Sequence, residues 1–125
     1  MHSRCPNLPP AHVRTVDGQL TMNGEKLFVN NGEYAPALLV AAIDEDAPKS
    51  GGHAALSMWM IPCSTPGITA VPEDKIGQEM LPFAHIQFHN VRLDESWRLS
   101  GPARGFSQLL AFFEYGRVFA CATAL

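Results

Sequence analysis

The segment Asn23-Gly24-Glu25-Lys26-Leu27-Phe28-Val29-Asn30-Asn31-Gly32 places two turn signals around one short extended stretch. Asn-Gly supplies the positive-φ positions that two-residue hairpin turns require, and it stands at both ends. Between the turns, Phe28 and Val29 are an aromatic and a β-branched residue, which suit a pleated, half-buried strand. Turns this closely spaced favour short strands over long helices. The same punctuation continues through most of the sequence, where ten Gly and ten Pro among 125 residues favour short strands and turns.

Residues 1–11, with Pro6, Pro9 and Pro10, read as a loose arm. Extended segments then follow at His12–Val16 and Gln19–Met22, joined by a turn at Asp17-Gly18, and at Glu25–Asn30 after the Asn23-Gly24 turn. Ala37–Ile43 is an apolar run of strand length between Pro36 and the acidic Asp44-Glu45-Asp46, although periodicity alone does not separate it from helix. A polar loop at Pro48–Gly52 leads to further strands at His53–Ile61 and Ile68–Val71, with Pro72–Lys75 as a charged connection. In Pro82–Leu93, Ala84, Ile86 and Phe88 alternate with His85, Gln87 and His89, as in a strand with one wet face. These spacings predict a mainly β fold, either an antiparallel β-barrel or two packed sheets of short strands, over residues 12–100.

The last stretch is of another kind. Phe106–Leu125 contains no Pro and carries apolar residues at 106, 109, 110, 113, 120, 121 and 124, which is helical spacing. Ser107 is a weak cap candidate because no acid follows at the capping-box position. The helix is apolar nearly all round, and such helices lie inside bundles. Nothing earlier in the chain supplies a bundle, so its partners are expected elsewhere.

Composition removes several function classes. A net charge of −3 without a basic block argues against a nucleic-acid partner, since phosphate binding rests on clustered Lys and Arg. No run approaches the length of a membrane span. Cys5, Cys63 and Cys121 are odd in number and widely spaced, which speaks against a disulfide framework or structural zinc and for a reducing, cytoplasmic setting. His85 and His89 share a strand face but stand roughly 13 Å apart, too far to ligate one metal ion. Ser57, Ser64 and Thr65 lack a nucleophile-elbow context, and no phosphate-binding glycine loop occurs. Glu114 and Arg117 share a helix face among Phe112, Phe113, Tyr115 and Phe119. They form either a plain surface ion pair or a charged pair at the mouth of a pocket, with Arg117 free to meet a polar group of a ligand.

Taken in order, Gly18–Gly32, Pro66-Gly67, Glu73-Asp74-Lys75-Ile76-Gly77, Phe88-His89-Asn90-Val91-Arg92-Leu93 and Gly105-Phe106 resemble the acyl-CoA dehydrogenase family over about residues 12–125. In that family a strand of the form N-G-x-K-x-[W/F]-I-[T/S]-N-[G/A] belongs to a middle β-domain, and G-x-G-F opens a helical C-terminal domain. The resemblance implies that residues 12–100 are the middle β-domain and 101–125 the first helix of the C-terminal domain. Residues 1–11 then stand where a flavin-binding loop ends, and the loss of the family's first middle-domain strand leaves a sheet edge unpaired.

The resemblance further implies a role for individual residues. Phe28, Val29 and Asn30 map onto the positions that lie against the flavin ring of FAD, with Asn30 in place of the usual Thr or Ser. Without the resemblance, Phe28 would read as an ordinary core aromatic. Glu114 and Arg117 match the spacing of a D-x-x-R pair that contacts the acyl-CoA substrate, with Glu for Asp. Gly116 occupies the position of the catalytic Glu in some members, so the base is expected outside this chain, and no catalytic residue is assigned within it. Gln78–Phe83 looks closer to the carnitine-type branch. The parent reaction implied is α,β-dehydrogenation of an acyl-CoA thioester by an oligomeric flavoprotein with an electron-transfer partner. The chain alone is expected to be inactive. The competing reading is a stand-alone β-barrel used for binding or assembly, with the terminal helix as an oligomer contact.

Overall fold

A computed structural model of the chain describes residues 10–48, 55–77, 80–101 and 104–123. The arm at 1–9, the loop at 49–52, the proposed strand start at 53–54, Gln78 and Glu79, Pro102 and Ala103, and residues 124–125 lie outside them. Six strands are present: β1 (His12–Val16), β2 (Gln19–Asn30), β3 (Ala37–Asp44), β4 (Leu56–Pro62), β5 (Ile68–Glu73) and β6 (Phe83–Arg92). A 3-10 turn at Glu95–Trp97 and one helix, α1 (Gly105–Thr123), follow. The strands form one curled sheet in the order β4-β3-β1-β2-β6-β5.

Asp17 and Gly18 both take positive φ, +50° and +78°, so the β1–β2 connection is the two-residue hairpin that Asp-Gly favours. Asn23-Gly24 makes no turn. β2 runs unbroken through it, and the register against β6 shifts between Met22 and Gly24. A positive-φ glycine serves a bulge as well as a turn, and Gly24, at φ +116°, also lets β2 pass close to Pro10 and Ala11. A Cβ there would lie 2.8 Å from the Ala11 Cα. On the facing strand Asn90 takes φ +48°, and its backbone N–H donates to Asn23 Oδ1 at 2.8 Å. The phase of β6 changes at this bulge: Ala84, Ile86 and Phe88 are buried, and then Val91.

Asn31-Gly32 is likewise no hairpin turn. It belongs to a four-residue turn, Asn31 to Tyr34, that carries the chain away from β2. After this crossing β3 enters on the far side of β1 and pairs with it in parallel, His12 opposite Ile43 and Val13 opposite Asp44. β3 and β4 are an antiparallel pair, with Val40 opposite Trp59 and Leu38 opposite Ile61. These four side chains join Val13, Met22, Ile86, Phe88 and Val91 in a single core on one face of the sheet. Burial of that continuous apolar face drives the folding.

Both sheet edges are blunted. Residues 98–100 lie along the outer strand β4: Leu99 N–H donates to the Met58 carbonyl, and Met58 N–H donates to Ser100 Oγ, both at 2.9 Å. The Arg98 guanidinium sits 4.6 Å from the Trp59 ring centroid and reaches Asp44 Oδ2 at 3.3 Å. The indole N–H of Trp59 donates to Ser57 Oγ at 2.8 Å in the buried core. At the opposite edge β5 contains Pro72, which removes a ladder donor and is tolerated on an edge strand.

The predicted helix begins one residue early, at Gly105. Ser107 does not cap it; its hydroxyl donates to the Arg104 carbonyl at 3.0 Å. Gly105 is buried against β4, where a Cβ would meet the Leu56 and Ser57 backbone within 2.9 Å. Further along, Phe106, Leu110, Phe112, Phe113, Tyr115 and Val118 remain exposed, so among the described side chains the docking of α1 is at its start.

Candidate functional site

The far end of β2 is locally strained. Between Lys26, opposite Ile86, and Val29, opposite Ala84, β2 gains one residue relative to β6. Phe28 lies in this bulge at φ +56°. A left-handed backbone costs a residue with a Cβ roughly 1–2 kcal/mol, and a bulky aromatic there is a true outlier. The ring is not compensated by burial, for Phe28 is 61% exposed. The bulge turns the aromatic outward, away from the core position that composition alone would give it. Val29 is half-buried against the core, and Asn30 is exposed.

Phe83 supports this tip. It opens β6 opposite Asn30 on one side and Glu73 on the other, and its ring lies 6.4 Å from that of Phe28 with an interplanar angle of 60°. Lys75, just after β5, places Nζ 4.1 Å from the Phe83 centroid. The Asn31 N–H donates to the Pro82 carbonyl at 2.9 Å and ties the two strand ends together. A shallow depression of about 320 Å³ lined by Pro72, Glu73, Asp74, Lys75, Pro82 and Phe83 adjoins the tip. Neither Phe83 nor Lys75 was assigned a role from sequence. Lys75 belongs to the Glu73–Gly77 motif, but nothing in its spacing says that its ammonium faces an aromatic ring.

The polar face of the sheet carries a second group. His85 Nε2 lies 2.9 Å from Glu25 Oε2, while His89 is exposed. Lys26, on the core face opposite Ile86, is held below the ordinary lysine pKa by burial. Cys63 is half-buried, and desolvation pushes its thiol pKa up, as in an inert structural cysteine.

Glu114 and Arg117 are both exposed on α1, and no ion pair joins them among the described residues. The simple surface salt bridge is therefore not formed. The helix rests on β4, which is separated from β2 by β3 and β1. The tip residues Phe28, Val29 and Asn30 thus lie on a different part of the sheet from the Glu114–Arg117 pair.

A family model for the acyl-CoA dehydrogenase middle domain matches residues 5–91. The chain belongs to this family. It is 32% identical over 108 residues to a probable acyl-CoA dehydrogenase of Bacillus subtilis, a match that covers 86% of this chain and 28% of the relative. The crystal structure of an acyl-CoA dehydrogenase from Slackia heliotrinireducens superposes with a TM-score of 0.73 at 58% identity, covering 91% of this chain and 29% of that one. A glutaryl-CoA dehydrogenase from Mycobacterium smegmatis, in complex with FADH2, shares the fold at 24% identity with a TM-score of 0.56, over 72% of this chain and 22% of its own. The chain thus spans less than a third of the length of these acyl-CoA dehydrogenases. No helix among the described residues is long and apolar enough to cross a membrane.

Proposed function

We propose that the chain is the middle β-domain of an FAD-dependent acyl-CoA dehydrogenase, residues 12–100, together with the first helix of a helical domain, residues 101–125, and that the tip of β2 is one wall of its flavin site. The observation that carries this reading is the exposed ring of Phe28, held outward at φ +56° on a bulge. Strain of this kind persists where surrounding structure imposes it, and it concentrates at ligand sites. A solvent-facing aromatic fits a planar tricyclic cofactor, which it can meet through its free face. Asn30, exposed next to it, offers an amide able to donate to or accept from the edge of the ring system. Val29 fills the sheet beneath and keeps the pair aligned. The relative in complex with FADH2 supports the choice of cofactor.

FAD, when bound, supplies the two-electron acceptor for dehydrogenation of an acyl-CoA thioester between its α and β carbons. The part of this chain is to pack on the flavin and to hold it in place. Arg117, exposed on α1 and not engaged by Glu114 among the described residues, is free to meet a polar group of the substrate, with Glu114 beside it. The chain supplies no catalytic base in this scheme; it is inactive alone, and an electron-transfer partner and homo-oligomeric assembly belong to the intact enzyme in the cytoplasm.

The exposed apolar surface of α1 also suits the second reading, an assembly module without catalysis. Fluorescence titration of FAD with the purified chain separates the two. The flavin reading expects saturable quenching that Phe28→Ala weakens about tenfold, the equivalent of one lost aromatic stacking contact, and no bleaching of the flavin when an acyl-CoA is added. Quenching that Phe28→Ala leaves unchanged would sink the assignment of the β2 tip.

A further inference from the structure

We infer that Lys75 is a positioning residue for Phe28, acting through Phe83; the inference rests on Phe28 being a flavin contact. The Lys75 ammonium is removed from water and has no hydrogen-bond partner among the described residues. Its two acidic neighbours, Glu73 and Asp74, form no salt bridge with it. A surface lysine normally keeps its charged head in solvent, and an ammonium deprived of both water and acceptors is costly. What it has instead is the face of Phe83 at 4.1 Å, within the range at which a ring quadrupole attracts a cation.

The consequence passes to Phe28. The φ of +56° and the bulge set the direction of its Cα–Cβ bond, but most of its ring is in solvent, so the backbone leaves the ring plane free to rotate. Phe83 is the aromatic ring that touches it among the described residues, 6.4 Å away at 60°. Phe83 sits between Asn30 and Glu73 in the sheet, and the cation on its face holds that ring in one plane. A fixed Phe83 presents one surface to Phe28 and selects one orientation of the exposed ring. The order ammonium, half-buried ring, exposed ring is a support running from the 73–77 segment to the flavin wall.

The test compares Lys75→Met, which keeps the apolar stem, with Lys75→Arg, which keeps a cation able to sit over the ring. In the wild-type chain the ε-methylene protons of Lys75 should show an upfield ring-current shift, and NOEs should join the Phe28 and Phe83 rings. Lys75→Arg should retain the ring-to-ring NOEs and hold FAD affinity within about twofold, whereas Lys75→Met should lose the NOEs and weaken FAD about three- to tenfold, a cation–π contribution of ordinary size. The denaturation midpoint of Lys75→Met should hardly move, which separates orientation from folding. An unshifted ε-methylene in the wild-type chain, which needs no variant, overturns the inference. So does a Lys75→Met protein with intact NOEs, or a Lys75→Arg protein as impaired as Lys75→Met. Should Phe28→Ala leave FAD affinity unchanged while the NOEs depend on Lys75 as stated, the flavin reading fails and the positioning of the ring stands.

Discussion

Two glycines on the same helix are expected to respond to alanine with opposite signs. Helix propensity favours Ala over Gly by about 1 kcal/mol in a helix interior, so propensity alone predicts that Gly105→Ala and Gly116→Ala both stabilise. The surroundings differ. A Cβ on Gly116 meets nothing within 4 Å, whereas one on Gly105 would lie 2.7 Å from the Leu56 carbonyl carbon and 2.9 Å from the Ser57 Cα. That is about 0.7 Å short of ordinary contact, and the obstructing atoms are backbone of β4, which no rotamer change can clear. Overpacking of this kind costs about 1–3 kcal/mol; as the first residue of α1, Gly105 recovers only part of the propensity gain, so Gly105→Ala should lose about 1–2 kcal/mol and Gly116→Ala should gain up to about 1 kcal/mol. Urea denaturation followed by circular dichroism, with the slope unchanged between variants, measures both. Stabilisation by Gly105→Ala would show that α1 is not seated on β4 as described.

Ser57→Ala should destabilise by about 1–3 kcal/mol, because it strands the buried indole N–H of Trp59 without an acceptor, and the same denaturation series checks it. The acid side of the stability profile has a defined sign. Asp46, hydrogen-bonded by Thr15, and Asp94, hydrogen-bonded by Ser96, both titrate below the ordinary carboxylate value. Their contribution is present above the unfolded pKa and is lost as pH falls through the depressed folded values. Asp46→Asn and Asp94→Asn should therefore flatten the decline in denaturation midpoint below about pH 4, while a slope identical to wild type would exclude these bonds from the acid transition.

Much of the sheet was legible because its signals are local. Asp17-Gly18 demanded a tight turn and made one, and the alternation of Ala84, Ile86 and Phe88 named the buried face of β6. Asn23-Gly24 misled because the signal is only for positive φ, which a bulge satisfies as readily as a turn; the choice was made by the long pairing of β2 with β6. The parallel contact of β1 with β3 left no trace in the residues themselves, since it depends on how the chain crosses after Asn31. The candidate site divides in the same way. Phe28, Val29 and Asn30 could be named from their motif, but the bulge that turns Phe28 outward and the ammonium behind Phe83 arise from strands distant in sequence. For Gly105, a helix-opening motif pointed to the position, while its physical reason, the carbonyl of Leu56, became visible only with β4 in place.

The narrow parallel pairing of β1 with β3 has a mechanical consequence. It divides the backbone ladder into two leaves, β3 with β4 on one side and β1, β2, β6 and β5 on the other. The seam is stitched by a short ladder of backbone bonds, among them Ile43 N–H to the Ala11 carbonyl and Glu45 N–H to the Val13 carbonyl, both 2.9 Å. The tip bearing Phe28 lies on one leaf, and the helix bearing Arg117 rests on the other. Packing across the seam, where Val13, Met22, Val40 and Trp59 share the common core, therefore governs how stiffly the β2 tip and α1 are coupled, and thinning the core there would loosen that coupling while leaving each leaf's own ladder whole.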